Sequence, residues 1–140
     1  MITHTFEVPG NPRGKGRPRT RVVGGGGRAF AHVYTDAKTA AYENLVALAA
    51  KQAGVTALDG AVEVKIDLYF ARPKRLLREK DPGGVLPHVS KPDADNVAKA
   101  ILDGLAAFIR DEAVTYLRIT KWYAAKGGEA KAVVTLREAA

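Results

Sequence analysis

Cysteine is absent from this 140-residue chain, and with it go disulfide staples, thiolate zinc sites and cysteine nucleophiles. Any metal must sit on oxygen or histidine, and the composition fits a reducing cytoplasm. Long apolar runs are absent as well. No stretch approaches the roughly 20 residues needed to cross a bilayer, and Met1-Ile2-Thr3-His4-Thr5-Phe6 lacks the basic and apolar regions of a signal peptide. A soluble, unexported protein with no membrane association is expected. No internal repeat is visible, and 46% apolar content over this length supports one core, hence a single domain over residues 1–140. Aromatic side chains are sparse. Tyr116, Trp122 and Tyr123, close together near the end, read as core or dimer contacts and not as a base-stacking platform. His4, His32 and His88 show no metal-ligand spacing and are expected on the surface or in loops.

Acidic residues are also in short supply, 15 against 22 Lys and Arg, for a formal charge of +7. An anionic partner follows from that excess, and its distribution is more telling. Residues 1–28 hold Arg13, Lys15, Arg17, Arg19, Arg21 and Arg28 against Glu7 alone. Residues 72–91 hold Arg72, Lys74, Arg75, Arg78, Lys80 and Lys91 against Glu79 and Asp81. The rest of the chain is slightly acidic. Both basic segments contain Gly and Pro and are expected to be mobile loops, at about 10–29 and 72–90, of the kind that can track a phosphate backbone. Lys15, Arg17, Arg19, Lys74, Arg75 and Lys91 are the candidate contacts to DNA or RNA. The run Gly24 to Gly27 fits no phosphate-cradling fingerprint and reads as a mobile hinge or hairpin tip, so no organic cofactor is expected.

Periodicity outlines the fold. Ile2 to Val8 reads as a strand, and a short extended piece follows around Phe30 to Tyr34. Asp36 can cap a helix running to about Gln52, with Tyr42, Leu45, Leu48 and Ala49 on its apolar side and Gly54 ending it. Val64, Ile66, Leu68 and Phe70 alternate with Glu63, Lys65, Asp67 and Tyr69, the pattern of a half-buried strand. After a second helix, strands are expected over Val114 to about Ala125 and Ala130 to Leu136, joined as a hairpin at Gly127-Gly128. The expected class is α+β, one mixed or antiparallel sheet with two main helices packed on it.

The second helix carries the chemistry. In Lys91-Pro92-Asp93-Ala94-Asp95-Asn96, followed by Lys99 and Asp103, helical spacing places Asp95, Lys99 and Asp103 at about 0°, 40° and 80°, and Val97, Ile101, Leu105 and Phe108 at about 200–280°. One face buries and the opposite face is free to react. Capping and the helix dipole also draw carboxylates to such a position. Two aspartates one residue apart, joined by a third acid from Asp111-Glu112 in the turn after the helix, would instead supply hard oxygen ligands for Mg²⁺ or Mn²⁺. Either Asp111 or Glu112 can be that third ligand. Lys99 is then placed to neutralise charge in a phosphoryl-transfer transition state. Asp67 and Glu63 are reserve ligands only.

Lys91-Pro92-Asp93-x-Asp95-Asn96-Val97-x-Lys99-x-x-Leu102-Asp103-x-Leu105 resembles the core of the RusA family of Holliday-junction resolvases. Gly14-Lys15-Gly16-Arg17-Pro18-Arg19 resembles the basic motif near the start of many phage-type members. The resemblance implies a RusA-like, homodimeric, Mg²⁺-dependent endonuclease that nicks two opposed strands of a four-way DNA junction, in the cytoplasm of a bacterial or phage-infected cell. It implies that Asp93 and Asp95 are the paired metal-binding aspartates, that Lys99 is the essential lysine, and that Asn96 and Asp103 support the site. The third acid departs from the family pattern: aligned on Val114 it is Asp111, and aligned on the paired acids it is Glu112. Two rivals use the same residues, a metal-dependent nuclease for other branched or single-stranded DNA and a DNA-binding protein without catalysis.

Overall fold

The structure, a computed structural model, describes residues 2–139 apart from 18, 25, 26 and 28, and it leaves the side chains of Arg19, Phe30 and His32 undescribed. The strands are β1 (Thr3–Pro9), β2 (Arg19–Val23), β3 (Phe30–Tyr34), β4 (Val62–Phe70), β5 (Leu86–Pro87), β6 (Val114–Tyr123) and β7 (Lys131–Glu138). The helices are α1 (Ala37–Gln52) and α2 (Ala94–Gly104), with single 3₁₀ turns at Lys74–Leu76 and Asp111–Ala113. Five strands form one mixed sheet in the order β1-β7-β4-β6-β5, and β2 and β3 pair separately. This is the expected α+β arrangement of two helices on one sheet.

β4 is central because its apolar residues recur at every second position. Val62, Val64, Ile66 and Leu68 are fully buried, each contributing about 1.5–3 kcal/mol of hydrophobic burial. They pack in one cluster with Tyr42, Val46 and Ala50 of α1 and Val97, Ile101 and Leu105 around α2. The expected amphipathic split of α2 is therefore what seats it, and its polar face is left outward.

Gly127-Gly128 does not close a hairpin. β4 lies between β6 and β7, parallel to the first and antiparallel to the second, with Ile66 opposite both Ile119 and Val134. The connection 124–130 steps over roughly 10 Å, two strand spacings. A strand apolar enough to be covered on one face along its whole length gains most with neighbours on both edges, and β4 displaces the local pairing. Leu48 is also not on the buried side of α1. It is 51% exposed, and the buried line runs through Thr39, Tyr42, Val46 and Ala50, at the three- and four-residue spacing of the face turned to the core.

The two segments read as loops contain regular structure. β2 pairs with β3 across the glycine run, whose Gly25 and Gly26 lie outside the described residues, as do Arg28 and Pro18. Residues 72–90 contain a 3₁₀ turn and β5. Arg72 ties this segment down, donating to the carbonyls of Ala124 (2.9 Å), Leu76 (2.8 Å) and Gly84. Lys126 donates to the Arg78 carbonyl at 2.7 Å. No helix among the described residues is long and apolar enough to cross a membrane.

His88 is a core residue and not a surface one. It is 8% exposed, stacked 4.0 Å from the Phe70 ring and 4.6 Å from that of Tyr123. Burial, then the nearby Lys121 charge, lower its pKa. A histidine depressed on folding leaves stability intact above its unfolded value of 6.5 and loses it as pH falls from there through the folded value. The urea midpoint is expected to fall on acidification through that window, and His88→Phe should flatten the dependence; an equal slope in both proteins would exclude His88 as its source.

Candidate active site at the head of α2

The chain reaches α2 along β6. Lys121, on the helix-facing side of β6, donates from its ammonium to the carbonyls of Ser90 and Pro92, both at 2.7 Å. Ser90 and Tyr123 share a hydroxyl hydrogen bond at 3.3 Å. The residues just before Asp93 are thereby fastened to the sheet. Lys121 was missed by sequence reading, although a lone charge following Leu117 and Ile119 at strand spacing was its signal.

Asp93 occupies the N-cap position of α2, with extended backbone angles of −68° and 148°, yet its side chain makes no capping hydrogen bond. Asp36 at the head of α1 behaves differently. Its carboxylate accepts from the backbone N–H groups of Lys38 at 3.2 Å and Thr39 at 3.4 Å. The same residue type in the same position is thus spent on the helix in α1 and left uncommitted in α2. Asp95 follows in the first turn, exposed, and among the described residues neither Asp93 nor Asp95 has an ion-pair partner. Capping does not account for Asp93.

Lys99 lies one turn on. Its ammonium stands 3.2 Å from Asp103 Oδ1 and 3.3 Å from Asp111 Oδ2. Hydrogen bonds to Asp103 and then Asp111 raise its pKa above the usual lysine value, so it is a cation at neutral pH and not a base. The second oxygen of Asp103 accepts from Lys15 at 2.5 Å, and Lys15 also reaches Glu43 Oε2 at 3.4 Å. Burial works to raise the Asp103 pKa, but hydrogen bonds from Lys15 and Lys99 outweigh it and the net shift is downward. Glu112 pairs with its neighbour Arg110 at 3.7 Å in solvent. Of the two acids in the turn, Asp111 is the one drawn to Lys99.

The N-terminal segment folds across this helix head. The Lys15 N–H donates to the Asn96 carbonyl at 3.2 Å, and Pro12, Arg13, Gly14, Lys91, Pro92, Asp93 and Asn96 line an open depression of about 480 Å³. A carboxylate and two basic side chains therefore share one concavity. Arg17, Lys74, Arg75 and Lys91 are exposed, and the side chain of Arg19 lies outside the described residues. Asp67 and Glu63 are on the opposite face of the sheet, held by Thr120 at 2.6 Å and Arg137 at 2.6 Å.

The structure brings together Lys15, Asp103, Lys99 and Asp111, and separately Asp93, Asn96 and Lys91. Among the described residues, no three His, Cys, Asp or Glu side chains stand close enough to hold one metal ion. The donor set at the helix head is still of the right kind. Mg²⁺ is commonly held by one or two carboxylates, with waters and substrate phosphate completing its shell, and Asp93 and Asp95 are two such groups with no ion-pair partner among the described residues. Glu43, which pairs with Lys15, and Gly104, where a Cβ would stand 2.9 Å from the Glu43 carbonyl oxygen, were not found by sequence reading, because both depend on how closely α1 approaches α2.

Residues 9–137 match a family model described as Endodeoxyribonuclease RusA. A protein of Bacillus subtilis (strain 168) named Uncharacterized protein YqaN is 32% identical over 141 aligned positions, covering 95% of this chain and 94% of that one. Both similarities run through the helix head and the turn at Asp111.

Proposed function

The chain belongs to the RusA endodeoxyribonuclease family, and from there we propose that it resolves four-way DNA junctions by Mg²⁺-dependent phosphodiester hydrolysis, with paired symmetric nicks made by a homodimer. The observation that carries this reading is the Asp93 carboxylate, placed at a helix cap yet unused by the helix, in a depression it shares with Arg13 and Lys91. Asp93 and Asp95 would hold the ion, with Asp111, or Glu112 in its place, as the third carboxylate. When bound, it supplies Lewis-acid polarisation of the phosphodiester and a more acidic water.

The chain's own side chains do the rest. Lys99, held cationic by its two carboxylates, offsets negative charge growing on the phosphoryl oxygens, and Asp111 sets where that ammonium stands. Asn96 and Asp103 support the constellation. Arg17, Arg19, Lys74, Arg75 and Lys91 meet phosphates of the junction arms. One chain has one such site, so two opposed nicks require two copies. The enzyme acts where the DNA is, in the cytoplasm of a bacterial or phage-infected cell.

Cleavage of a mobile four-way junction, a flap and a plain duplex by one preparation, with and without Mg²⁺, tests the reading. Junction cleavage only with Mg²⁺ is expected. A preference for the flap would move the substrate to another branched DNA, and binding without any cleavage would leave a non-catalytic DNA-binding protein. Arg17→Ala should weaken junction binding and lower the slope of log affinity against log salt by about 0.9, one phosphate contact's share. An unchanged slope would remove Arg17 from the phosphate contacts.

A further inference from the structure

Gly14-Lys15-Gly16 has the composition of a phosphate-binding run, but among the basic side chains described in the N-terminal segment its lysine is the least available. The ammonium lies between Asp103 at 2.5 Å and Glu43 at 3.4 Å, with only a quarter of the side chain exposed. The backbone on either side is fastened as well. Lys15 donates to the Asn96 carbonyl at the head of α2, and Gly16 donates to Thr39 Oγ1 in the first turn of α1 at 2.8 Å.

Both glycines are there for space. A Cβ on Gly14 would lie 2.6 Å from Asn96 Nδ2 and 3.0 Å from Pro92 Cβ, and one on Gly16 would lie 2.7 Å from Thr39 Oγ1. The tripeptide is threaded between the two helices: a side chain at Gly16 would meet the buried Thr39 hydroxyl, and one at Gly14 would push the Asn96 amide aside. From Lys15 a row of alternating charge runs Glu43, Lys15, Asp103, Lys99, Asp111, joining α1, the N-terminal segment, α2 and the turn before β6. Three carboxylates against two ammonium groups leave this row with a net negative charge. A phosphate gains nothing by approaching it at Lys15.

We propose that Gly14-Lys15-Gly16 is a positioning strap: Lys15 neutralises one oxygen of Asp103 so that Lys99, on the other, stays shared with Asp111, and Lys15 itself does not contact DNA. Without Lys15, the Asp103 carboxylate holds Lys99 alone and draws it away from Asp111. The kinetic part of this inference rests on the endonuclease reading; the Lys15–Asp103 coupling does not.

Three measurements on the full chain test it. Lys15→Met is expected to lower kcat for junction cleavage about ten- to a hundredfold, the cost of a small misplacement at a reacting centre. KM and the salt slope of binding should stay at wild-type values, in contrast to Arg17→Ala. Lys15→Arg, which keeps a cation between the same carboxylates, should restore most of kcat. A slope lowered by about 0.9 in Lys15→Met would make Lys15 a phosphate contact and overturn the proposal. Gly16→Ala, whose Cβ would meet the buried Thr39 hydroxyl, disturbs the strap without removing a charge and should repeat the kcat loss at constant slope; wild-type kcat there would also overturn it. Thermal unfolding of Lys15→Met, Asp103→Asn and the double variant supplies a readout that needs no activity. The double variant is expected to lose no more than the larger single loss, and additive losses would refute the coupling. If the wild type cleaves no DNA, the endonuclease reading fails and this cycle alone decides the strap.

Discussion

Asp93→Asn and Asp95→Asn are each expected to reduce junction cleavage by about 10³-fold or more, roughly 4 kcal/mol of transition-state stabilisation, with junction binding retained. The substitution keeps size and shape and removes only the charge, so it isolates the carboxylate. Asparagine is as good an N-cap as aspartate, and Asp93 makes no capping bond to lose. The thermal midpoint of Asp93→Asn should therefore match that of the wild type. Binding should hold or tighten, because a negative charge has been removed from the surface proposed to meet phosphate. The measurement is single-turnover cleavage beside a binding titration in Ca²⁺ or without metal. Full cleavage by either variant would refute its assignment, and a large drop in thermal midpoint would show that the acid serves the fold.

Gly104→Ala carries the largest expected effect on stability, and its sign is diagnostic. In an exposed helix interior, glycine to alanine stabilises by about 1 kcal/mol. Here a Cβ would stand 2.9 Å from the Glu43 carbonyl oxygen and 2.9 Å from Val46 Cβ, and neither a backbone carbonyl nor a fully buried valine can swing aside. The helices must separate, at a cost of about 1–3 kcal/mol, a fall of several degrees in thermal midpoint for a chain of this size. The displacement would also carry Glu43 and Thr39 away from Lys15 and Gly16. A thermal midpoint at or above wild type would mean that α1 does not approach α2 as closely as described.

The charge count overstates how much of the protein faces DNA. Arg72, Lys121 and Lys126 satisfy backbone carbonyls, Arg78 pairs with Asp81 at 3.2 Å, and Lys15 is enclosed by two acids. Composition registers a basic side chain wherever it sits, and only position separates a phosphate contact from an internal tie.

Periodicity was enough to find β4 and α2, because apolar residues repeating every second or every third and fourth position leave one way for each element to bury a face; α1 was bounded by its Asp36 cap and Gly54 stop, and its buried side was not legible at Leu48. The spacing of Asp93, Asp95, Lys99 and Asp103 was legible for the same reason, since a helix turns residue number into direction. Pairing across long separations was not. Which strand lies beside β4 depends on what buries most area in the finished sheet, and that preference overrode the local glycine turn at Gly127. Whether Asp93 caps its helix, whether Asp111 or Glu112 reaches Lys99, and whether Lys15 meets phosphate or carboxylate all depend on distances between parts of the chain far apart in number. Sequence assigns a side chain its chemistry and its local direction; the packing of α1, the N-terminal segment and the turn before β6 around α2 assigned these side chains their partners, because charges select whichever opposite charge the fold brings within a few ångströms.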